Sequence, residues 1–216
     1  MSPVPAWLTG LVADAARRPV PPEMRPPASG GRHAAVLLLF GDSPDGPDVL
    51  LIQRSARGRN HAGQPAFPGG GVDPEDGGPV GAALREAEEE TGLDPRGVRI
   101  IGALPELYIW HSHNRVTPVL GWWHTPSAVH AASPDEVDAV ARVPIAELAD
   151  PGNRLRLRFP GTPRQAGPAF RVRGMLVWGF TAGVLDGVLA ATGFERPWDD
   201  GRVEDLPPEV VRLARR

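Results

Sequence analysis

Apolar residues cluster in short runs along the chain, and most runs are bounded by glycine, proline, aspartate or other turn residues. The runs lie at residues 33–40, 49–54, 98–104, 117–123, 143–145 and 155–159. Runs of this length with such boundaries are typical of buried β-strands. The pattern therefore predicts a sheet that supplies most of the core, with the last two runs as its weakest strands.

Two other segments have helical periodicity. Residues 80–91 are preceded by Pro79 and followed by Gly92, which are typical of helix boundaries. Their apolar positions lie on one stripe, which consists of Val80, Ala83, Leu84, Ala87 and Thr91. Residues 175–190 predict a second, amphipathic helix. Residues 55–79 form a long loop rich in glycine and proline, and such loops are commonly functional.

The composition of the two ends suggests the domain organisation. Residues 1–31 are rich in proline, which lacks the backbone donor that helices and sheets use, and they indicate a leader with a short helix near residues 7–17. We expect one main domain at residues 32–200 and a tail at residues 201–216. The chain has 216 residues, of which 41% are hydrophobic, which is enough for one sizeable core.

Charge and residue content exclude several classes of function. The chain has no cysteine, which excludes disulfides, thiolate catalysis and cysteine zinc sites. Its formal net charge of −3 does not suggest a nucleic-acid-binding surface. No apolar run approaches the roughly 20 residues that span a bilayer, and the N-terminus lacks a signal pattern. We expect a cytoplasmic protein without membrane or nucleic-acid partners, and a homodimer is left open.

The helix at residues 80–91 carries candidate chemistry. At 3.6 residues per turn, Glu86, Glu89 and Glu90 lie within about a 100° arc, whereas Glu88 points elsewhere. Three like charges on one face repel each other, and a hard divalent cation would remove that penalty. Arg85 precedes Glu89 by four residues and is expected to hold its carboxylate. An ordinary solvated acidic face is the alternative.

The segment Phe67-Pro68-Gly69-Gly70-Gly71 stands before this helix, and the two together resemble the Nudix box. That box has a glycine, five residues, a glutamate, seven residues, and then Arg-Glu-x-x-Glu-Glu-x-Gly. Starting at Gly70, the glutamate position is Asp76, and eight residues separate it from Arg85. Starting at Gly71, the spacing is seven but the glutamate position is Gly77. The helical part fits well, and the first acidic position departs from the box.

The residues upstream narrow the resemblance. Residues 50–55, followed by Arg59, Gly63 and residues 67–70, resemble the motif that precedes the box in coenzyme A diphosphatases. That branch also tolerates a box longer by one residue. The resemblance therefore implies hydrolysis of coenzyme A to 4′-phosphopantetheine and adenosine 3′,5′-bisphosphate. The alternatives are a Nudix hydrolase of ADP-ribose or NADH, and a Nudix-like nucleotide-binding module without turnover.

The resemblance also implies a fold and a set of roles. The fold is α/β (α+β), a Nudix fold with a mixed sheet sandwiched between helices, in a hydrolase domain at residues 32–200. The metal, Mg²⁺ or Mn²⁺, would be bound by Glu86, Glu89, Glu90 and the Gly70 carbonyl. Catalytic roles fall to Glu89, to Arg85 and to Glu136, which matches a position where some relatives supply a ligand or base. Glu136 as a plain surface residue is the alternative.

Four residues are candidates for binding the small-molecule substrate. The guanidinium forks of Arg54 and Arg59 suit phosphate oxygens, with ion pairing to the acidic helix as the alternative. Gly69 lets the backbone approach a ligand closely. His111 lies in the segment Tyr-Ile-Trp-His-Ser-His-Asn-Arg, which suggests a substrate-facing loop. A plain surface loop or a metal site with His113 is the alternative for that segment.

Overall fold

The computed structural model describes residues 3–17, 19–57, 62–162 and 166–214. By its internal contacts the chain divides into two compact units. The first comprises the described residues of Met1–Asp42 and Phe67–Ala132, and the second comprises those of Ser43–Ala66 and Ser133–Arg216.

Helices and strands alternate along the chain. The helices are α1 Ala6–Arg17, α2 Pro79–Thr91, α3 Ile145–Leu148, α4 Gly179–Thr192 and α5 Pro208–Ala214. The strands are β1 Arg32–Ser43, β2 Gly46–Arg54, β3 Pro65–Ala66, β4 Gly69–Gly71, β5 Val98–Ala103, β6 Leu107–Ile109, β7 Asn114–Trp123, β8 Val137–Pro144, β9 Arg154–Arg158, β10 Gly167–Val172, β11 Met175–Val177 and β12 Val203–Asp205.

The first unit is built around β1. This strand pairs in parallel with β7 and antiparallel with the short β4, which carries the glycines of the loop. Strands β5 and β6 pair antiparallel with β7. Leu37, Leu38, Leu39 and Phe40 are fully buried, because successive residues of a strand point to opposite faces and both faces of β1 are covered.

The N-terminal helix belongs to this core. Leu8 is fully buried, and the ring of Trp7 meets that of Phe40 edge to face at a centroid distance of 5.4 Å. After the helix, the Arg115 guanidinium donates to the carbonyls of Pro27 and Gly30 at 3.0 and 3.1 Å. The predicted helix near residues 7–17 is confirmed, and its apolar face packs against the sheet.

The second unit contains two sets of strands. Strand β2 pairs antiparallel with β8 and with β3. In a separate sheet, β10 pairs antiparallel with β9 and β11, and β12 pairs in parallel with β9. A small core forms over this second sheet from Leu155, Leu157, Ala169 and Leu206, with Val210 and Val211 of α5 packed against it.

Most predicted elements are confirmed, and three predictions need correction. The strand predicted at residues 143–145 is the end of β8, which begins at Val137, and Ile145 instead begins α3. The helix predicted at residues 175–190 starts later, at Gly179, because Met175–Val177 pairs with β10 as strand β11. The predicted stripe of α2 is wrong at its first position. Val80 is 37% exposed, and Ala82 is buried in its place. Parallel and antiparallel pairs occur together, so the α+β class with a mixed sheet is confirmed.

Candidate active site

Helix α2 presents its acidic residues to the glycine loop. Its C-terminus is closed by Gly92, whose φ is 67° and whose N–H donates to the Glu88 carbonyl at 2.8 Å. Glycine adopts this left-handed conformation without a Cβ clash. The helix buries Ala82, Ala83 and Ala87, and these small side chains allow a close approach to the rest of the first unit.

Glu90 lies inside the first unit and not on its surface. Only 1% of its surface is exposed, and its Oε2 accepts the N–H of Gly69 at 2.9 Å. A buried carboxylate is costly unless hydrogen bonds or cations compensate its charge. The bond to Gly69 is one such compensation, and it ties the end of α2 to β4.

Glu86 faces the next residue of the same loop. A Cβ placed on Gly70 would stand 2.3 Å from the Glu86 Oε1, and one placed on Gly69 would stand 2.3 Å from the Ala35 carbonyl oxygen. A side chain at Gly69 is therefore excluded by the backbone of β1, whereas one at Gly70 would require the Glu86 carboxylate to move. The expectation that Gly69 and Gly70 let the backbone approach a ligand or a metal stays a prediction.

Arg85 connects the helix to the preceding loop. Its Nε and Nη2 donate to the two carboxylate oxygens of Asp76 at 2.7 and 3.0 Å, and its Nη1 donates to Glu86 and Glu89 at 3.0 and 3.2 Å. The predicted contact between Arg85 and Glu89 is confirmed. Its Nη2 also donates to the Gly71 carbonyl at 3.1 Å. One guanidinium therefore links three carboxylates to the glycine loop.

The Asp76–Arg85 pair shifts both acid–base equilibria. The hydrogen bonds from Arg85 hold the pKa of the Asp76 carboxyl below its usual range, and those to Asp76 raise the pKa of Arg85. The Asp76 side chain is only 4% exposed. Both groups are therefore charged at neutral pH, which makes the pair a fixed bidentate fork.

Sequence reasoning left the position of Asp76 open, and the loop geometry explains it. Gly77 and Gly78 have φ values of 66° and 126°, which accommodate the extra residue between Asp76 and α2. A Cβ on Gly81 would stand 1.9 Å from the Asp76 carbonyl oxygen, so the loop presses directly on the helix. Of the two possible alignments with the Nudix box, the one that starts at Gly70 assigns the acidic position to Asp76, which bonds to Arg85. An acidic residue after the glycines was the signal for this pair.

The donor chemistry of this face suits a hard divalent cation. Glu86 and Glu90 meet adjacent residues of the glycine loop, and carboxylate and carbonyl oxygens are the ligands that Mg²⁺ and Mn²⁺ prefer. The Glu89 side chain, 56% exposed, lies one turn away from Glu86. Among the described residues, no three His, Asp or Glu side chains converge into a ready-made metal site, so this face supplies suitable donor groups but not an assembled coordination shell.

Comparison with known proteins identifies the family. A model of the NUDIX domain matches residues 31–163. The chain belongs to the Nudix family. It is 42% identical over 159 residues to NudL, an uncharacterized Nudix hydrolase of Escherichia coli strain K12, covering 71% of this chain and 79% of that one. NudL of Shigella boydii serotype 4 matches with the same identity and coverage.

A solved structure supports the same fold. The Nudix hydrolase RenU of M. smegmatis superposes with a TM-score of 0.54 at 21% sequence identity, covering 79% of this chain and 91% of that one. The predicted Nudix fold is therefore confirmed. Nudix hydrolases are pyrophosphohydrolases that act on phosphorus-containing anhydrides of nucleoside diphosphate derivatives, and they generally use divalent metal ions. Among the described residues, no helix is long and apolar enough to cross a bilayer.

The remaining predicted residues lie away from α2 in the sequence. His111, in the first unit, is exposed in the turn between β6 and β7, where the neighbouring His113 accepts or donates a hydrogen bond with the Tyr108 hydroxyl at 3.1 Å. Arg54 ends β2 in the second unit, and Glu136 is exposed in the turn before β8. Arg59 lies outside the described residues.

Proposed function

We propose that this Nudix hydrolase uses Mg²⁺ or Mn²⁺ to cleave coenzyme A into 4′-phosphopantetheine and adenosine 3′,5′-bisphosphate. The observation that supports the proposal is that the carboxylates of Glu86 and Glu90, on α2, lie against the glycine loop. Glu90 bonds the Gly69 N–H, and Glu86 fills the space where a Gly70 side chain would stand. The choice of coenzyme A rests on the segment at residues 50–70 and its resemblance to coenzyme A diphosphatases.

Each residue of the site has a distinct task in this proposal. Glu86, Glu89 and Glu90, with the Gly70 carbonyl, would hold the metal, which supplies an activated water and neutralises charge on the phosphoryl oxygens. Arg85 keeps Glu86 and Glu89 in place through hydrogen bonds of 3.0 and 3.2 Å. Gly69 and the guanidinium groups of Arg54 and Arg59 would bind the diphosphate, and His111 would contact the rest of the substrate.

The reaction is a hydrolysis at one phosphorus of the diphosphate. The water oxygen forms a bond to that phosphorus, and the bond from this phosphorus to the bridging oxygen breaks. A glutamate, Glu89 or Glu136, takes the proton that the water loses. The bridging oxygen leaves on the other phosphate, so no further reactant is needed.

The metal-binding role is tested by Glu90→Gln. The glutamine keeps an oxygen for the Gly69 N–H and removes a buried charge, so folding should stay intact. Turnover should fall by about a hundredfold or more, because even outer partners of metal sites cost ten- to hundredfold when removed. Glu88→Gln is the matched control, since Glu88 is exposed on another face of the same helix. Near-normal turnover of Glu90→Gln, with melting curves that show a folded protein, would overturn the metal assignment.

Substrate choice is tested with a panel at one Mg²⁺ concentration: coenzyme A, its 3′-dephospho form, ADP-ribose and NADH. The 3′-phosphate is close to a dianion at neutral pH and needs a cationic partner if it is bound in a pocket. The loss of that pairing should cost about tenfold to a hundredfold in kcat/KM. If Arg59 pairs with the 3′-phosphate, Arg59→Ala should reduce the difference in kcat/KM between coenzyme A and its 3′-dephospho form. A higher kcat/KM for ADP-ribose or NADH than for coenzyme A would overturn the proposed substrate. If the protein binds one of these compounds but turns over none of them, a non-catalytic binding module is favoured.

A further inference from the structure

Two segments distant in the sequence are fastened together in the second unit. One is the arginine segment, Arg54–Arg57, at the end of β2, and the other is the Glu136 turn, residues 133–138. The first carries a candidate phosphate-binding cation, and the second carries a candidate catalytic carboxylate. The contacts described below do not use the Glu136 carboxylate, so they leave that group available for a role in the reaction.

Backbone hydrogen bonds make the first part of the connection. The Ser55 N–H donates to the Glu136 carbonyl at 2.7 Å, and the Glu136 N–H donates to the Ser133 carbonyl at 2.9 Å. Ser55 is 1% exposed, so water cannot readily replace the bond from Ser55 to Glu136. The Arg57 guanidinium adds a hydrogen bond to the Pro134 carbonyl at 3.3 Å.

Asp138 adds a further contact with its side chain. Its Oδ2 accepts the N–H of Ala56 at 3.1 Å. The register of β2 and β8 explains why this carboxylate is available. Gln53 pairs with Ala139 and Arg54 pairs with Val137, so Asp138 is the extra residue of a β-bulge. Bulges redirect a side chain and occur often beside active sites.

We infer that Asp138 is a positioning residue for the reaction. By holding Ala56, it sets the arginine segment on the turn that carries Glu136. The spacing between the Arg54 guanidinium and the Glu136 carboxylate then stays constant while substrate binds. The inference rests on the proposed function, because it assigns roles to Arg54 and Glu136, and it adds a residue that the sequence motifs do not include.

The test compares Asp138→Ala with Asp138→Asn. The alanine variant loses the acceptor, whereas the asparagine oxygen can still accept the Ala56 N–H. We expect Asp138→Ala to raise KM and to lower kcat, so that kcat/KM falls by about three- to tenfold, as for one lost hydrogen bond. Asp138→Asn should recover most of both. Asp135→Ala, an exposed aspartate of the same turn, is the matched control and should leave both constants unchanged.

Several outcomes would overturn the inference. Native kcat and KM in Asp138→Ala would do so, and so would equal losses in the alanine and asparagine variants. If Asp138→Ala melts too early to assay, Asp138→Glu displaces the carboxylate by one methylene, and native constants in that variant would also overturn it. Glu90→Gln distinguishes a failure of the proposed function from a failure of the positioning role of Asp138. If it is inactive while Asp138→Ala is native-like, the proposed function stands and only the positioning role fails.

Discussion

Arg85 and Arg154 each gather carboxylates, but they do so in different surroundings. The Arg85 side chain, on α2 in the first unit, is 30% exposed and contacts Asp76, Glu86 and Glu89. The Arg154 side chain, at the start of β9 in the second unit, is only 1% exposed. Both networks pair one guanidinium with carboxylates, and they differ in burial and in what covers the guanidinium.

The network around Arg154 is closed by aromatic rings. Its guanidinium carbon lies 4.3 Å from the centroid of the Trp198 ring and 5.6 Å from that of Phe170. It donates to Glu195 at 3.1 Å and also to Asp186, which joins β9 to α4 and to the segment after it. Burial raises the pKa of the Asp186 carboxyl in spite of the arginine, whereas Arg85 lowers that of Asp76.

The difference separates a structural network from the one to which we assign a role in turnover. A guanidinium covered on its faces by rings and bonded at its edges has no room for a ligand, so Arg154 fixes tertiary structure. Arg85 instead holds two carboxylates of an acidic helix face whose third member, Glu90, touches the glycine loop. Removing each arginine should therefore affect different measurements.

The largest effect is expected for Arg154→Ala on stability. The variant loses the contact with Trp198 and leaves two carboxylates without their cation. We expect a loss of about 3 kcal/mol in the free energy of unfolding, the lower end for breaking a buried pair, because both carboxylates are more than a third exposed. Urea denaturation measures it, and the folded fraction should keep its kcat. A loss of activity larger than the loss of folded protein would contradict the purely structural role.

Arg85→Ala should act mainly on turnover. Without the guanidinium, Glu86 and Glu89 lose a fixed hydrogen bond each, and kcat should fall by about tenfold to a hundredfold. The free energy of unfolding should fall by about 1–2 kcal/mol, because the Asp76 side chain loses its partner. Arg85→Lys should restore little, since an ammonium group cannot form the bidentate fork. Full activity in the lysine variant would show that charge alone is sufficient.

The ionised forms of Asp76 and Asp186 should have opposite effects on folding stability, which acid titration can distinguish. The folded pKa of Asp76 is lowered, so its stabilisation is complete above 3.8, the ordinary value, and is lost as the pH falls through the folded pKa. The folded pKa of Asp186 is raised, so its ionisation penalty is present at neutral pH and disappears as the pH falls toward 3.8. At pH 7 Asp76→Asn should be less stable than the parent, and Asp186→Asn should be as stable or more stable.

Urea denaturation of the metal-free protein from pH 7 to pH 3 would measure both variants, and each difference from the parent should shrink at the acid end. If both variants change stability in the same direction at pH 7, burial does not dominate at Asp186 and the contrast between the two networks is lost.

The smallest effect is expected for Arg96→Ala, which provides the reference for an exposed pair. The Arg96 side chain is 90% exposed and contacts Asp94 at 2.9 Å. Solvent screens exposed ion pairs, so stability and turnover should both change little. A loss of stability as large as that of Arg154→Ala would mean that burial does not determine how much these ion pairs contribute to stability.

The elements of the site that depend on local sequence were predicted well. The start and end of α2 follow from Pro79 and Gly92, and the shared face of its glutamates follows from helical periodicity. The strands at residues 33–40 and 117–123 were also found, although β1 and β7 extend beyond them. The assignment of Met175–Val177 to a helix failed because its pairing with β10 overrides a continuous apolar pattern.

By itself, the sequence determined the helix that carries the carboxylates, the glycines before it and the family resemblance, because caps, periodicity and motif spacing are local properties. Tertiary structure alone decided which groups these carboxylates meet. The bond from Gly69 to Glu90, the fork from Arg85 to Asp76 and the bulge that directs Asp138 to Ala56 each depend on the packing or register of segments distant in the chain. Local sequence does not encode such distances, since they result from how strands and loops pair across the whole core.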